Sequence, residues 1–142
     1  MVEAVKTYNS VEEMTETLDK AIADTKSNLG EYLRRLDEIR SRAEKSKKIR
    51  ETVMKITGKR NGSGESSEEI EVGSLKIVVD ANAFQQLTVI ESAVKSHQER
   101  LLVLQKAREA LKPLSQLGDT EGLNFMVLED SGVPELILLK TS

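Results

Sequence analysis

Apolar residues recur at alternating spacings of three and four along two stretches of the chain. The first runs through Leu18, Ile22, Leu29, Tyr32, Leu36, Ile39, Ala43 and Val53, and the second through Leu87, Ile90, Val94, Leu101, Leu104 and Leu111. Such spacing gathers the residues on one side of a helix and predicts a seam that must meet another helix. Ser10-Val11-Glu12-Glu13 has the form of a capping box, with the Glu13 N–H donating to the Ser10 hydroxyl and the Ser10 N–H donating to the Glu13 carboxylate. A helix starting there can continue without proline to about Thr57, with Gly58 as its C-cap, and would be roughly 70 Å long. Gly30 is its weak interior point, costing about 1 kcal/mol relative to alanine.

The second helix has Asp80 or Asn82 as its cap and is expected to last to Lys112, ending or kinking there because Pro113 disfavours helix at the residue before it, with Gly118 as a second stop. Val89, Ala93, Leu102, Val103 and Ala107 widen its apolar face, so it should touch a sheet as well as a helix. Short β-prone runs, Ile70 to Val72 and Leu75 to Val79, surround Gly73-Ser74. Two more, Leu123 to Leu128 and Leu136 to Leu139, surround the turn-rich segment from Glu129 to Pro134. The expected class is therefore α+β: a long N-terminal coiled-coil helix, then a small ββαββ-type module containing one further long helix. As domains, this divides the chain into a helical segment at 1–58, a flexible Gly- and Ser-rich linker at 59–69, and a head of two hairpins flanking a helix at 70–142.

Composition sharpens this picture. The chain has 142 residues, 38% of them apolar and only 3% aromatic, with no Trp and no Cys. An aliphatic core of this kind suits helix–helix seams, and the lack of Cys excludes disulfides and thiolate metal sites. The first residues lack the basic and apolar regions of a signal peptide, and no apolar run reaches the roughly 18 residues needed to span a bilayer, so a cytoplasmic location without a membrane partner is expected.

The net charge of −3 is unevenly spread. Arg34 to Arg60 carries eleven basic residues against four acidic, whereas Met1 to Leu33 carries three against seven. Two first helices laid parallel would bring their basic halves together, whereas an antiparallel homodimer would set acidic against basic. The expected oligomer interface is therefore Leu18, Ile22, Leu29, Tyr32, Leu33, Leu36, Ile39, Ala43 and Val53, centred near Gly30. Exposed charge pairs of about 0.2–0.5 kcal/mol each would select orientation more than affinity. The basic stretch also offers a candidate polyanion contact through Arg34, Arg35, Arg42, Lys45 and Lys48. No aromatic residue between Leu36 and Lys59 could stack on bases, and the pI of about 5.4 weighs against a dedicated nucleic-acid binder.

No residue set specifies a reaction, and no catalytic, cofactor or metal site is expected. The sole histidine, His97, falls in the second seam, where a polar residue tunes register; catalysis would need a nucleophile or carboxylate fixed beside it. Gly58 to Gly64 has the composition of a phosphate loop but not the pattern, since Lys59 is followed by Arg60 and no Ser or Thr. Asn61-Gly62-Ser63 matches a glycosylation sequon without a secretory signal. The leading expectation is a non-enzymatic coiled-coil protein that self-associates and serves as scaffold or adapter for a further protein. Over about residues 10–112, the order long helix, β-hairpin, long helix resembles the architecture of the prefoldin family. That resemblance implies a holdase chaperone as the alternative, with a nucleic-acid-associated accessory role, through the basic half-helix, as a third.

Overall fold

The computed structural model describes residues 2–57, 68–79, 81–117 and 122–141. Their order is β1 (Glu3–Tyr8), α1 (Val11–Thr57), β2 (Glu68–Val72), β3 (Leu75–Val79), α2 (Ala83–Ser115), β4 (Leu123–Asp130) and β5 (Val133–Thr141). The chain is thus a mixed α+β protein with a long N-terminal helix. It forms two compact units, Met1–Leu29 with Ser96–Ser142, and Gly30–Lys95. These units cut across both helices, whereas the sequence suggested divisions near residues 58 and 69.

Both helix starts follow their local chemistry. The Glu13 N–H donates to the Ser10 hydroxyl (3.1 Å), but the Glu13 carboxylate accepts from the Asn9 N–H (3.1 Å), one residue earlier than a standard capping box. At α2 the box is reciprocal: the Gln85 N–H donates to Asn82 Oδ1 and the Asn82 N–H to Gln85 Oε1, both at 2.9 Å. Asn82 is therefore the cap, and Asp80, like Gly118, lies outside the described residues. The helix does not stop at Lys112. It continues through Pro113 to Ser115, because a proline this close to the end removes few intrahelical bonds. The Gln116 and Leu117 N–H groups then close the end on the Pro113 and Leu114 carbonyls.

In the first unit the sheet has the order β1-β4-β5, all antiparallel. β1 was not expected from the sequence. It pairs with β4 from Glu3↔Asp130 to Tyr8↔Phe125, so the C-terminal hairpin is completed by the N-terminal strand. Ser131 and Gly132 both have positive φ, 52° and 84°, as the two central residues of a type I′ hairpin turn require. The turn is held from two sides: Arg100 Nη1 donates to the Ser131 carbonyl (2.8 Å), and the Ser131 N–H donates to the Val2 carbonyl (2.9 Å). One core joins the start of α1 (Met14, Leu18, Ile22), the end of α2 (Leu104, Leu111) and the inner face of the sheet (Phe125, Val127). Asp19 and Arg108 form a salt bridge across the same pair of helices. Thr25 lies buried in the α1 seam and is satisfied locally, its hydroxyl donating to the Ala21 carbonyl at 2.7 Å.

The second unit holds the remaining parts of α1 and α2 with the two-stranded sheet β2-β3. Its buried residues are Leu36, Ile39 and Ala43 on α1 and Ile90 and Val94 on α2. Gly73, with φ of 63°, opens the β2–β3 turn in a conformation that favours glycine. The two expected hairpins therefore exist on either side of α2 in sequence, but they belong to separate sheets in separate units.

Candidate interaction surfaces

The expected interface residues fall into three groups. Leu18, Ile22, Leu36, Ile39 and Ala43 are buried within the single chain, Leu29 and Tyr32 are half-buried, and Leu33 and Val53 are exposed. Leu18 and Ile22 are thus already packed against α2 and the sheet of the first unit. At Gly30, an added methyl group would meet no atom within 4 Å.

The candidate polyanion residues are placed together on solvent. Arg34, Arg35, Arg42, Lys45 and Lys48 are all exposed, and among the described residues none of them forms an ion pair. Arg35 stands over the Tyr32 ring, 5.9 Å from its centroid, and Arg50 over the Phe84 ring at the same distance. His97 is half-buried on α2. Among the described residues no group of three or more His, Cys, Asp or Glu could hold a metal ion. The Gly58 to Gly64 segment and its sequon lie outside the described residues.

A polar cluster in the first unit was not visible from sequence. Glu129 is buried at 3% exposure, and its Oε1 accepts a hydrogen bond from the Tyr8 hydroxyl at 2.7 Å. Its Oε2 lies 3.5 Å from the Lys6 ammonium. Burial pushes the Tyr8 hydroxyl up to about 12, with the hydrogen bond to Glu129 and its charge adding to the shift and Thr17 opposing it. A β5 irregularity opposite Leu128 and Glu129 sits beside this cluster, where the register skips Glu135. Every buried polar side-chain atom among the described residues has a partner, so the cluster is satisfied and points to strand registration rather than chemistry.

Two grooves carry mixed linings. One of about 460 Å³ in the first unit is flanked by Glu12 and Glu16 against Arg108 and Lys112, so its charges oppose one another. The hydrogen bond to Asp19, and then its charge, raises the Arg108 guanidinium pKa and holds that side chain at the rim. One of about 220 Å³ in the second unit lies among Ile39, Val78, Val89 and Ile90, with Arg35, Gln85 and Gln86 at its edge.

The β2–β3 hairpin presents the clearest unsatisfied surface of the second unit. Its register pairs Ile70 with Ile77 and Val72 with Leu75, placing these four and Val79 on one face. All five are exposed, Val72 and Leu75 at 59% and 63%. The opposite face carries Glu69, Glu71 and Lys76, with Lys76 3.3 Å from Glu69, together with the half-buried Val78. The hairpin therefore turns its apolar side outward. No family model, curated protein or solved structure matches the chain. Among the described residues no helix is long and apolar enough to cross a membrane.

Proposed function

We propose that this protein is a non-enzymatic interaction protein that assembles with copies of itself and serves as a scaffold or adapter for other proteins. The observation that carries the reading is the outward apolar face of β2–β3. An isolated two-stranded hairpin is marginal in water, and its two edges leave backbone groups open to a further strand. A second copy of the same hairpin stacked upon it covers the face. The acidic β2 and the Lys76-bearing β3 give such a junction charges of both signs. In this reading the heptad seams act within the chain as coiled-coil-like packing, leaving the hairpin as the assembling end. Cytoplasmic residence fits a chain that carries no Cys.

Sedimentation velocity over a range of protein concentrations tests this. The wild-type chain is expected to associate, and Leu75→Lys with Ile70→Lys is expected to weaken that association strongly while leaving the helical circular dichroism unchanged. A wild-type chain that stays monomeric overturns the reading.

A second reading, the holdase chaperone, is favoured by one observation. Ile49 and Ile56 on α1 and Val89 on α2 stand exposed in the second unit at 65%, 77% and 68%. Apolar side chains displayed on helices are what a denatured client would bind. Suppression of client aggregation that is lost in Ile49→Ser with Ile56→Ser would favour it over a purely structural scaffold.

A further inference from the structure

The three-stranded sheet of the first unit has a second face, and it too is uncovered. Strand alternation turns Tyr8, Phe125, Val127 and Glu129 inward, where all four are buried. The register then places the outward residues in rows. Val5 stands beside Leu128 and Leu136, and Thr7 beside Met126 and Leu138. Val5, Leu136 and Leu138 are 64%, 52% and 51% exposed, Met126 is exposed, and Leu128 is half-buried. Five apolar side chains thus form one contiguous block on three strands, the kind of patch that marks an interaction site.

The ends of this block differ in charge. Glu3 pairs with Asp130 at one end, and Lys140 pairs with Asn124 at the other. Six residues of strand separate Asp130 from Asn124, or about 20 Å, so Asp130 and Lys140 of one chain are out of each other's reach.

We propose that this outer face is a self-complementary contact with the same face of a second copy, separate from the β2–β3 contact of the proposed function. Two sheets stack face to face about 10 Å apart with their inner side chains interdigitating. A two-fold axis between the sheets, perpendicular to the strands, reverses one sheet over the other. It sets the Val5–Leu128–Leu136 row of one copy on the partner's Thr7–Met126–Leu138 row. It also brings Asp130 of each copy beside the partner's Lys140, one strand over. The alternative axis, parallel to the strands, would set the two Asp130 carboxylates together. Charge therefore selects the reversed stacking, and the contact is isologous and closes as a pair.

Three strands by about six residues give a projected area of roughly 300 Å² per copy, well below the ~800 Å² per partner of a standard stable interface. The contact is therefore weak alone, with a dissociation constant on the order of 0.1 mM.

Sedimentation equilibrium on the hairpin-blocked chain (Ile70→Lys with Leu75→Lys) isolates this contact, with circular dichroism as the folding control. That chain is expected to dimerise weakly, and Leu138→Lys to weaken the dimer by at least ~100-fold. Asp130→Lys and Lys140→Glu are each expected to weaken it by about tenfold, and the two combined to restore it, with the charge effects fading in high salt. Restoration identifies contact between chains, since the two residues are too far apart within one. A hairpin-blocked chain that remains monomeric to about 1 mM, or a charge swap that fails to restore association, overturns the proposal. Either result leaves the hairpin reading standing, whereas a monomeric wild-type chain overturns both.

Discussion

Replacing Tyr8 with phenylalanine removes one oxygen from a buried polar contact. The Tyr8 hydroxyl donates to a carboxylate that is itself only 3% exposed. Hydrogen bonds to charged groups contribute about 1.5–3 kcal/mol, so Tyr8→Phe should destabilise the chain by about that amount at neutral pH. The residual partner, Lys6, sits at 3.5 Å on the other carboxylate oxygen and limits the loss. The pH dependence is more discriminating. Tyr8 ionises near 12 in the folded chain and near the ordinary phenol value of 10 when unfolded. A raised folded pKa gives a contribution that is fully present below pH ~10 and lost as the pH rises toward ~12. Between pH ~9 and ~11.5 that loss amounts to about 1.8 kcal/mol in the wild type and is absent in Tyr8→Phe. Urea denaturation of both chains across that range measures the difference, and common titrations of the other groups cancel. The phenolate absorbance supplies an independent check, since the Tyr8 hydroxyl should ionise late. Parallel stability curves for the two proteins, or a Tyr8 hydroxyl that ionises near the ordinary phenol value, would refute the reasoning.

Gly30→Ala should raise stability by about 1 kcal/mol, because Gly30 is interior to α1 and an added methyl meets nothing within 4 Å. The same methyl would weaken an antiparallel α1–α1 dimer centred at that point, so thermal melting combined with sedimentation separates the two arrangements. Leu104→Ala should cost about 2–5 kcal/mol at unchanged denaturant slope, since Leu104 is fully buried in the first unit's core. Leu102→Ala, two residues away on the exposed side, should fall within about 0.5 kcal/mol of wild type in the same assay.

The elements that sequence revealed are those whose signals are local. Spacings of three and four expose both helices, Ser10 and Asn82 mark their starts, and Gly73-Ser74 and Ser131-Gly132 mark hairpins through backbone conformations that few other residues accept. β1 escaped because its six residues bury a single side chain, Tyr8, and its partner strand lies over a hundred residues away. The same distance hid Glu129. As a sequence feature it is one acidic residue in a turn-rich stretch, and only the pairing of β1 with β4 brings Tyr8 and Lys6 to it. The outward faces were hidden for a related reason. Alternation in Leu75 to Val79 or Leu136 to Leu139 shows which residues share a side, but not which side a helix will cover.

The choice of partner for the first seam turns on register and magnitude. Taken over its whole length, α2 is mildly basic and offers nothing to the basic half of α1, which favours pairing α1 with a second copy. In the first unit, however, the residues of α2 packed against α1 belong to Ser96–Ser115, and the part of α1 they meet is its acidic beginning. That stretch of α2 carries Arg100, Lys106, Arg108 and Lys112 against Glu99 and Glu109. Antiparallel pairing within the chain therefore sets opposite charges together as well, and Asp19–Arg108 is one such pair. The charge argument for a second copy therefore applies to the helix's own partner as well, though with a smaller local excess of basic residues. Apolar burial then dominates. Leu18, Ile22, Leu104 and Leu111 contribute about 1.5–3 kcal/mol each when buried, against about 0.2–0.5 for an exposed ion pair. A chain that closes its own seams in this way loses no translational freedom in doing so, whereas a second copy must. What remains for other molecules is the apolar surface this packing leaves open: the outer sides of the two sheets and exposed helix positions such as Ile49, Ile56 and Val89.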